Sequence, residues 1–390
     1  MPAGAHHTSP LVTPRAEVTT TPLAAHGGPA GAADERRPVR HDFSTSVSAY
    51  GPAPGVLAAV RTAVDAAALE RYPDPECLAP RRAAAAAYGI APEAVCVGAG
   101  AAELLHAACV AFVRVGDAVV VPGLAFGEYE RSARLGGARV VRAAVAAPGA
   151  PASEAAEAFC RAVLQARPRL AFACTPENPV GRAWSADDVR AAADACARTG
   201  TLLVLDQAYD AFAERPLGTP VLAGHPAVLH LRSLTKDHAL AGVRAAVAVG
   251  PPAVVQALEQ ARVPWAVSAP AQAAVVAAFT PEAMAHVAHA TARLRAAARA
   301  LAEAFAHTGL APAGSDTHYF VARVPSALDA AGLRARLLDA HGLKVRDCAS
   351  FGLPNTIRVA ARTPPENAAL VRALALVTSS AAPPPSPTPS

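Results

Sequence analysis

The sequence predicts an α/β protein: a mostly parallel seven-stranded sheet in a large domain, followed by a smaller α+β unit. Three observations carry this. Between residues 95 and 249, short aliphatic runs alternate with alanine-rich stretches of helical spacing, the pattern of repeated strand–helix–strand units. Beyond Pro270 that alternation gives way to a long helical stretch and then mixed short elements. The chain has 390 residues and is 53% apolar, enough to bury two cores.

Residues 1–40 are rich in Pro, Gly, Thr, Ala and His without periodicity, and are expected to be a disordered tail; the pair His6 and His7 reads as inert there. Residues 41–70 read as an N-terminal arm. In the large domain, 71–270, the expected strands are Val95–Val97, Ala118–Val121, Val140–Ala143, Leu170–Ala173, Leu202–Leu205, Val228–Leu231 and Ala245–Val249. Helical spacing follows Ala101 and covers Ala186–Arg198. In the smaller unit, 271–378, one long Ala/Arg helix is expected over about 271–307. A strand at Tyr319–Arg323, a helix at Leu333–His341 and strands near Leu343–Arg346 and Thr356–Ala360 complete it. Residues 379–390 read as a Pro/Ser tail.

Charge and composition exclude several functions. Thirty-five basic against 31 acidic residues leave +4, dispersed along the chain, so nucleic acid is not an expected partner. No apolar run is long enough to span a membrane, and no cationic stretch precedes an apolar one at the N-terminus. The seven cysteines are scattered without a CxxC pair and read as reduced core residues of a cytoplasmic protein, not disulfides or metal ligands. Only Lys236 and Lys344 are lysines, so lysine does not serve as a generic surface charge here.

One series of residues points to chemistry. Gly98-Ala-Gly-Ala-Ala-Glu103 follows a strand and opens a helix, where the free N–H groups of Gly100, Ala101 and Ala102 can hold a phosphate. Alone, such a turn is common. Asn178-Pro179 follows the strand at Leu170; its amide can bridge a cofactor oxygen and a substrate carboxylate, or simply form a turn. Asp206 ends the strand Leu202–Leu205, at the sheet edge where ligands gather, with Tyr209 three residues on; as a lone residue it also reads as a helix cap. Ser233, Thr235 and Arg244 surround Lys236, two hydroxyls and a guanidinium suited to a phosphate beside a reactive amine. Arg358, on a C-terminal strand, offers a planar two-pronged donor to a carboxylate, with Arg346 and Arg362 as weaker candidates. In this order the set is what a pyridoxal-phosphate (PLP) enzyme needs. The lysine forms a Schiff base, an Asp keeps the pyridinium nitrogen protonated, and a Gly-rich helix start carries the phosphate.

Together these residues resemble the fold-type I PLP enzymes of the class I/II aminotransferase family, over nearly the whole ordered chain. The likeness is greatest to the branch holding histidinol-phosphate aminotransferase and threonine-phosphate decarboxylase. It rests on Asp42-Phe-Ser44, Tyr72-Pro-Asp-Pro75, Gly100-Ala-Ala-Glu-Leu-Leu105, Phe126-Gly-Glu-Tyr-Glu-Arg131, Ser233-Leu-Thr-Lys236, Pro264-Trp265 and Arg346-Asp-Cys348. The resemblance implies a homodimer with active sites at the interface, Tyr72 reaching the partner's cofactor phosphate and Phe126 stacking on the pyridine ring. The substrate it implies is an amino acid or amino-phosphate, held by Asn178, Arg358 and Arg346.

Three departures stand out: Ser46-Val-Ser-Ala49 where the branch carries Asn-x-Asn-Pro, Gln207 in place of Glu, and Ala99 in the phosphate turn. The first lies in a segment that lines the substrate pocket in that branch. Transamination is the leading expectation. Decarboxylation comes next, on the strings Phe126–Arg131 and Pro264-Trp265, and then β- or γ-elimination or replacement. A catalytically silent regulator of the same fold would need a DNA-binding domain, for which residues 1–40 are too short and too Pro-rich.

Overall fold

All seven aliphatic runs form strands, within a residue or two of their expected limits. A computed structural model describes residues 13–28, 37–65, 69–218, 222, 224–326 and 328–379. After a two-residue strand β1 (His41–Asp42), the large sheet is built from β2 (Val95–Gly98), β3 (Ala118–Val121), β4 (Arg139–Arg142), β5 (Leu170–Cys174), β6 (Leu202–Asp206), β7 (Val228–Ser233) and β8 (Ala246–Val249). Their order is β2-β8-β7-β6-β5-β3-β4, parallel throughout except β8, which runs against both its neighbours. Every residue of β2, β5, β6 and β8 is buried, as strands covered by helices on both faces must be.

The two-residue alternation along β5 assigns its faces. Leu170, Phe172 and Cys174 pack with Leu104, Tyr129 and Leu258 on one side, and Ala171 and Ala173 with Phe159, Val189 and Cys196 on the other. Register then decides where chemistry can sit. Cys174 pairs with Asp206, while Ser233 and Gly98 both pair with Ala246. The ends of β2, β5, β6 and β7 therefore meet at one edge of the sheet, the edge at which ligands collect in open α/β sheets.

The C-terminal unit holds β9 (Ala311–Pro312), β10 (Tyr319–Arg323), β11 (Leu343–Lys344), β12 (Arg346–Asp347) and β13 (Thr356–Ala360). Four of these form an antiparallel sheet in the order β12-β13-β10-β9. β11 instead pairs in parallel with β1, tying the N-terminal arm to this unit, and Phe43 is buried in its core beside Phe305, Phe320 and Ile357.

Several expectations are corrected. The single helix over 271–307 is two, Ala269–Ala278 and Pro281–Ala306. Pro281 cannot continue a helix from the preceding turn, and Thr280 caps the new one by accepting from the Ala283 N–H at 3.3 Å. The strand expected near Leu343–Arg346 divides at Val345 into β11 and β12, which pair with different partners. The helix Pro364–Ser379 had no counterpart in the sequence reading. Residues 13–28 were expected in a disordered tail, yet they form a short helix, Ala16–Thr20, and a strap across the sheet edge held by polar contacts. His6, His7 and the tail beyond residue 379 lie outside the described residues. Among the described residues no helix is long and apolar enough to cross a membrane.

Replacing Thr280 with Ala removes the cap that restarts the helix after the break. A loss of about 1 kcal/mol is expected from such a change, measured as a fall in the urea midpoint at unchanged slope.

Candidate active site

The converging strand ends frame a cavity of about 230 Å³. Beneath it the chain turns from β2 into the helix Ala101–Phe112 through Gly100 at φ +89°, a left-handed conformation that glycine tolerates. A Cβ on Gly100 would lie 2.4 Å from Arg244 Nη2, so the missing side chain is what lets the guanidinium close over the helix start. Glu103 steadies the same turn, accepting from the Ala99 N–H at 3.1 Å while its other oxygen takes Arg262 Nε at 2.6 Å. Ala101, Ala102, Ser233, Thr235 and Arg244 all line the cavity. An open helix N-terminus, two hydroxyls and a guanidinium make a cradle that fits a phosphate dianion.

Lys236 lies three residues beyond β7. Its backbone oxygen accepts from the Ser48 N–H at 2.8 Å, and the neighbouring Asp237 is wholly buried against Arg232. Desolvation first, then the cations Arg358 and Arg244, pulls its ammonium down to about 8, with Asp206 opposing. Asp206 is buried at the end of β6. One carboxylate oxygen accepts from the Ala208 N–H at 2.9 Å, the other from the Tyr129 hydroxyl at 2.7 Å. Burial raises its pKa, and among the described residues no cation lies within ion-pairing distance of it. A carboxylate so placed fits the protonated ring nitrogen of PLP.

Asn178 Oδ1 accepts from Arg358 Nη1, and Arg358 Nη2 donates to the Ser44 carbonyl at 2.7 Å; among the described residues Arg358 Nε is buried without a partner. The loop carrying Asn178 is braced from below: Glu177 takes Arg182 at 2.6 Å and Trp184 Nε1 at 2.8 Å, and the Tyr319 hydroxyl donates to its carbonyl at 2.9 Å. Burial pushes the Tyr209 phenol up to about 12, so it stays neutral.

The cavity thus gathers Ala101, Ala102, Phe126, Asn178, Asp206, Tyr209, Ser233, Thr235, Lys236, Arg244, Arg346 and Arg358, with Gly100 behind Arg244. Two sequence candidates fall elsewhere. Tyr72 is 80% exposed, its ring against the half-exposed Trp265 at 4.7 Å. Arg362 pairs with Glu366 and donates to the Asp42 carbonyl. Arg346 reaches the cavity wall, but its guanidinium is engaged by the strap, donating to the Ala25 and His26 carbonyls at 3.0 Å each and to Ser350 at 2.8 Å.

Sequence reasoning missed Tyr129, Cys174, Phe351 and the strap residues Ala25–Gly27, all of which line the cavity. His26 stands 5.5 Å from the Phe126 ring and pairs with Glu128 at 2.9 Å. The one available signal was Tyr129, inside a string already singled out; backbone carbonyls on a strap leave no trace in side-chain identities.

Residues 41–374 match the family model for aminotransferase class I and II. A histidinol-phosphate aminotransferase of Symbiobacterium thermophilum is 33% identical over 328 residues, 83% of this chain and 86% of that protein. One from Sphingopyxis alaskensis is 31% identical over 375 residues, 94% of this chain and 97% of its own length. Among solved structures, histidinol-phosphate aminotransferase from Sinorhizobium meliloti, in complex with pyridoxal-5'-phosphate, superimposes with a TM-score of 0.84 at 27% identity, covering 96% of this chain and all of that one.

Gly100→Ala forces a side chain into the space of the Arg244 guanidinium. Affinity for a phosphate-bearing ligand is expected to fall at least about tenfold, the worth of one charge-assisted hydrogen bond, measured by titrating PLP into the apoprotein.

Proposed function

The chain belongs to the aminotransferase class I and II family and is a PLP-dependent aminotransferase; on that premise we propose that Lys236 is its catalytic lysine and that its substrate is a small amino acid or amino-phosphate. The observation that carries the assignment is that Lys236, Asp206 and Arg358 all face one cavity.

Bound there, PLP supplies an electrophilic carbonyl and an electron sink. The N–H groups at Gly100–Ala102, the Ser233 and Thr235 hydroxyls and Arg244 would hold its phosphate. Asp206 would receive the ring N–H, Tyr209 and Asn178 would hold the phenolic oxygen, and Phe126 would support the ring. Arg358 orients the substrate carboxylate together with Asn178. Lys236 Nζ carries the proton to and from the α-carbon, for which an amine titrating near 8 is suited, since both its forms are populated close to neutral pH.

The segment Ser46–Ala49 supports a substrate other than those of the histidinol-phosphate branch. It lies against the site, with the Ser48 N–H on the Lys236 carbonyl and Ala49 packed beside Tyr209. The enzyme is further proposed to be a cytoplasmic homodimer. The exposed apolar side chains Leu69, Tyr72, Val263 and Trp265 support a buried contact there, and the free cysteines are consistent with a reducing compartment.

Two measurements test this. PLP-loaded protein is incubated with pooled amino acids and phospho-amino acids, with and without 2-oxoglutarate, and products are read by mass spectrometry. Glutamate and a keto acid formed only with the acceptor is the expected result. Amine and carbon dioxide without it would replace the assignment with a decarboxylase. Rapid turnover of histidinol phosphate or threonine phosphate would defeat the proposed shift of substrate. Lys236→Ala is expected to lower turnover by about 10²–10⁴-fold, the range for loss of a positioned acid–base. The pH dependence has a definite sign. Below pH about 8 the Lys236 amine is protonated and unreactive, so the rate at which apoprotein captures PLP should rise through a midpoint near 8, well below the usual 10.5.

A further inference from the structure

Asp206 has two carboxylate oxygens and must present one lone pair to the cavity while buried among apolar neighbours. Ala208 fixes one oxygen through its backbone N–H. The other is fixed by a side chain from another element: Tyr129, in the first turn of the helix Gly127–Leu135, at 2.7 Å. Tyr129 is wholly buried, and its ring has little freedom. It stacks on Phe172 with centroids 5.0 Å apart and planes within 9°, and meets Phe126 edge-on at 5.7 Å. Both Phe126 and Tyr129 rise from the start of the helix Gly127–Leu135, so the aromatic on the cavity face and the phenol on Asp206 are set by one short segment.

We propose that Tyr129 is the positioning residue for Asp206: its hydroxyl donates to the carboxylate, holds it ionised and aims its free lone pair at the cofactor ring nitrogen. A phenol suits this place. It is neutral, so it does not compete for the cation that Asp206 must attract, and a single O–H fixes a single oxygen. An arginine there would satisfy Asp206 outright and leave nothing for the ring nitrogen. The groups facing Asp206 are Tyr129 from its helix, Cys174 from β5, and Tyr209 and Lys236 from the following loops. Burial keeps the thiol and both phenols neutral, which leaves Lys236 as the only one that carries charge near neutral pH.

The inference rests on the PLP reading of the cavity, and its test separates the two. PLP dissociation constants are measured by the visible absorption of the bound cofactor for the unmodified protein, Tyr129→Phe, Asp206→Asn and the double variant. Tyr129→Phe keeps the ring and its packing, so melting of the apoprotein reports any general damage. Expected is a roughly tenfold weaker constant for Tyr129→Phe, the worth of a hydrogen bond to a charged group. In the Asp206→Asn background the same change is expected to shift it by less than about twofold, because the residue acts through Asp206. On acidification, Tyr129→Phe should lose cofactor at a higher pH than the unmodified protein, since removing the donor raises the Asp206 pKa further. Equal constants for Tyr129→Phe and the unmodified protein would overturn the inference, as would an undiminished effect in the Asp206→Asn background. No visible band with the unmodified protein would defeat the reading of the cavity and this inference with it.

Discussion

Burying a carboxylate in an apolar interior is costly unless a partner compensates, and Asp206 is buried at the end of a central strand with no cation in ion-pairing contact among the described residues, Lys236 acting on it only at longer range. Much of the surrounding architecture follows from that constraint. The Ala208 N–H and the Tyr129 hydroxyl meet part of the need, and neither neutralises the charge. The remaining electrostatic demand is directed into the cavity, where a cationic ring nitrogen would satisfy it. On the proposed reading, this buried charge would contribute cofactor specificity instead of stability.

Cation placement around Lys236 obeys the same economy. Arg244 and Arg358 come from opposite sides, one at the helix start and one on β13, and both disfavour an ammonium between them. Neither is placed there by local sequence. Arg244 approaches because Gly100 has no side chain, and Arg358 because β13 pairs with β10, whose Tyr319 lies beneath its guanidinium and braces the Asn178 loop. The N-terminal arm enters the same arrangement through the carbonyl of Ser44 and the N–H of Ser48. Three stretches remote in sequence are therefore needed to set one lysine.

Most of the sheet and much of the cavity-lining set were legible in the sequence because their causes are local. Strands buried on both faces must be aliphatic throughout, as in Ala118–Val121, and a phosphate cradle requires small residues at a strand–helix turn, as at Gly98–Ala102. The break at Pro281 was missed because both flanking helices are rich in alanine, so the helical pattern reads as continuing through it. The strap was missed for a different reason. It is fixed largely by the carbonyl oxygens of Ala25, His26 and Gly28, which accept from Arg346 and Lys344, and carbonyls leave no signature in the sequence. Tyr129 sat in plain view within a recognised string, but its partner is 77 residues away, and it is the stacking of its ring on Phe172 of β5 that brings its hydroxyl to Asp206.

The strap also separates Arg358 from Arg346, which the sequence already ranks as the weaker candidate. A guanidinium has five N–H donors. Arg346 commits its terminal nitrogens to two strap carbonyls and Ser350, and lies over the Phe351 ring. Arg358 keeps a buried Nε without a partner among the described residues, an arrangement that costs free energy until an acceptor arrives. Among the described residues Arg346 is held by three hydrogen bonds and Arg358 by two, which leaves Arg358 more donors for an incoming carboxylate. Binding there has an electrostatic consequence for the lysine. Arg358 is the largest cationic influence holding the Lys236 ammonium down, and a carboxylate seated on it offsets that charge. On the proposed reading, the amine would become more basic once a substrate carboxylate is in place, coupling carboxylate recognition to proton transfer.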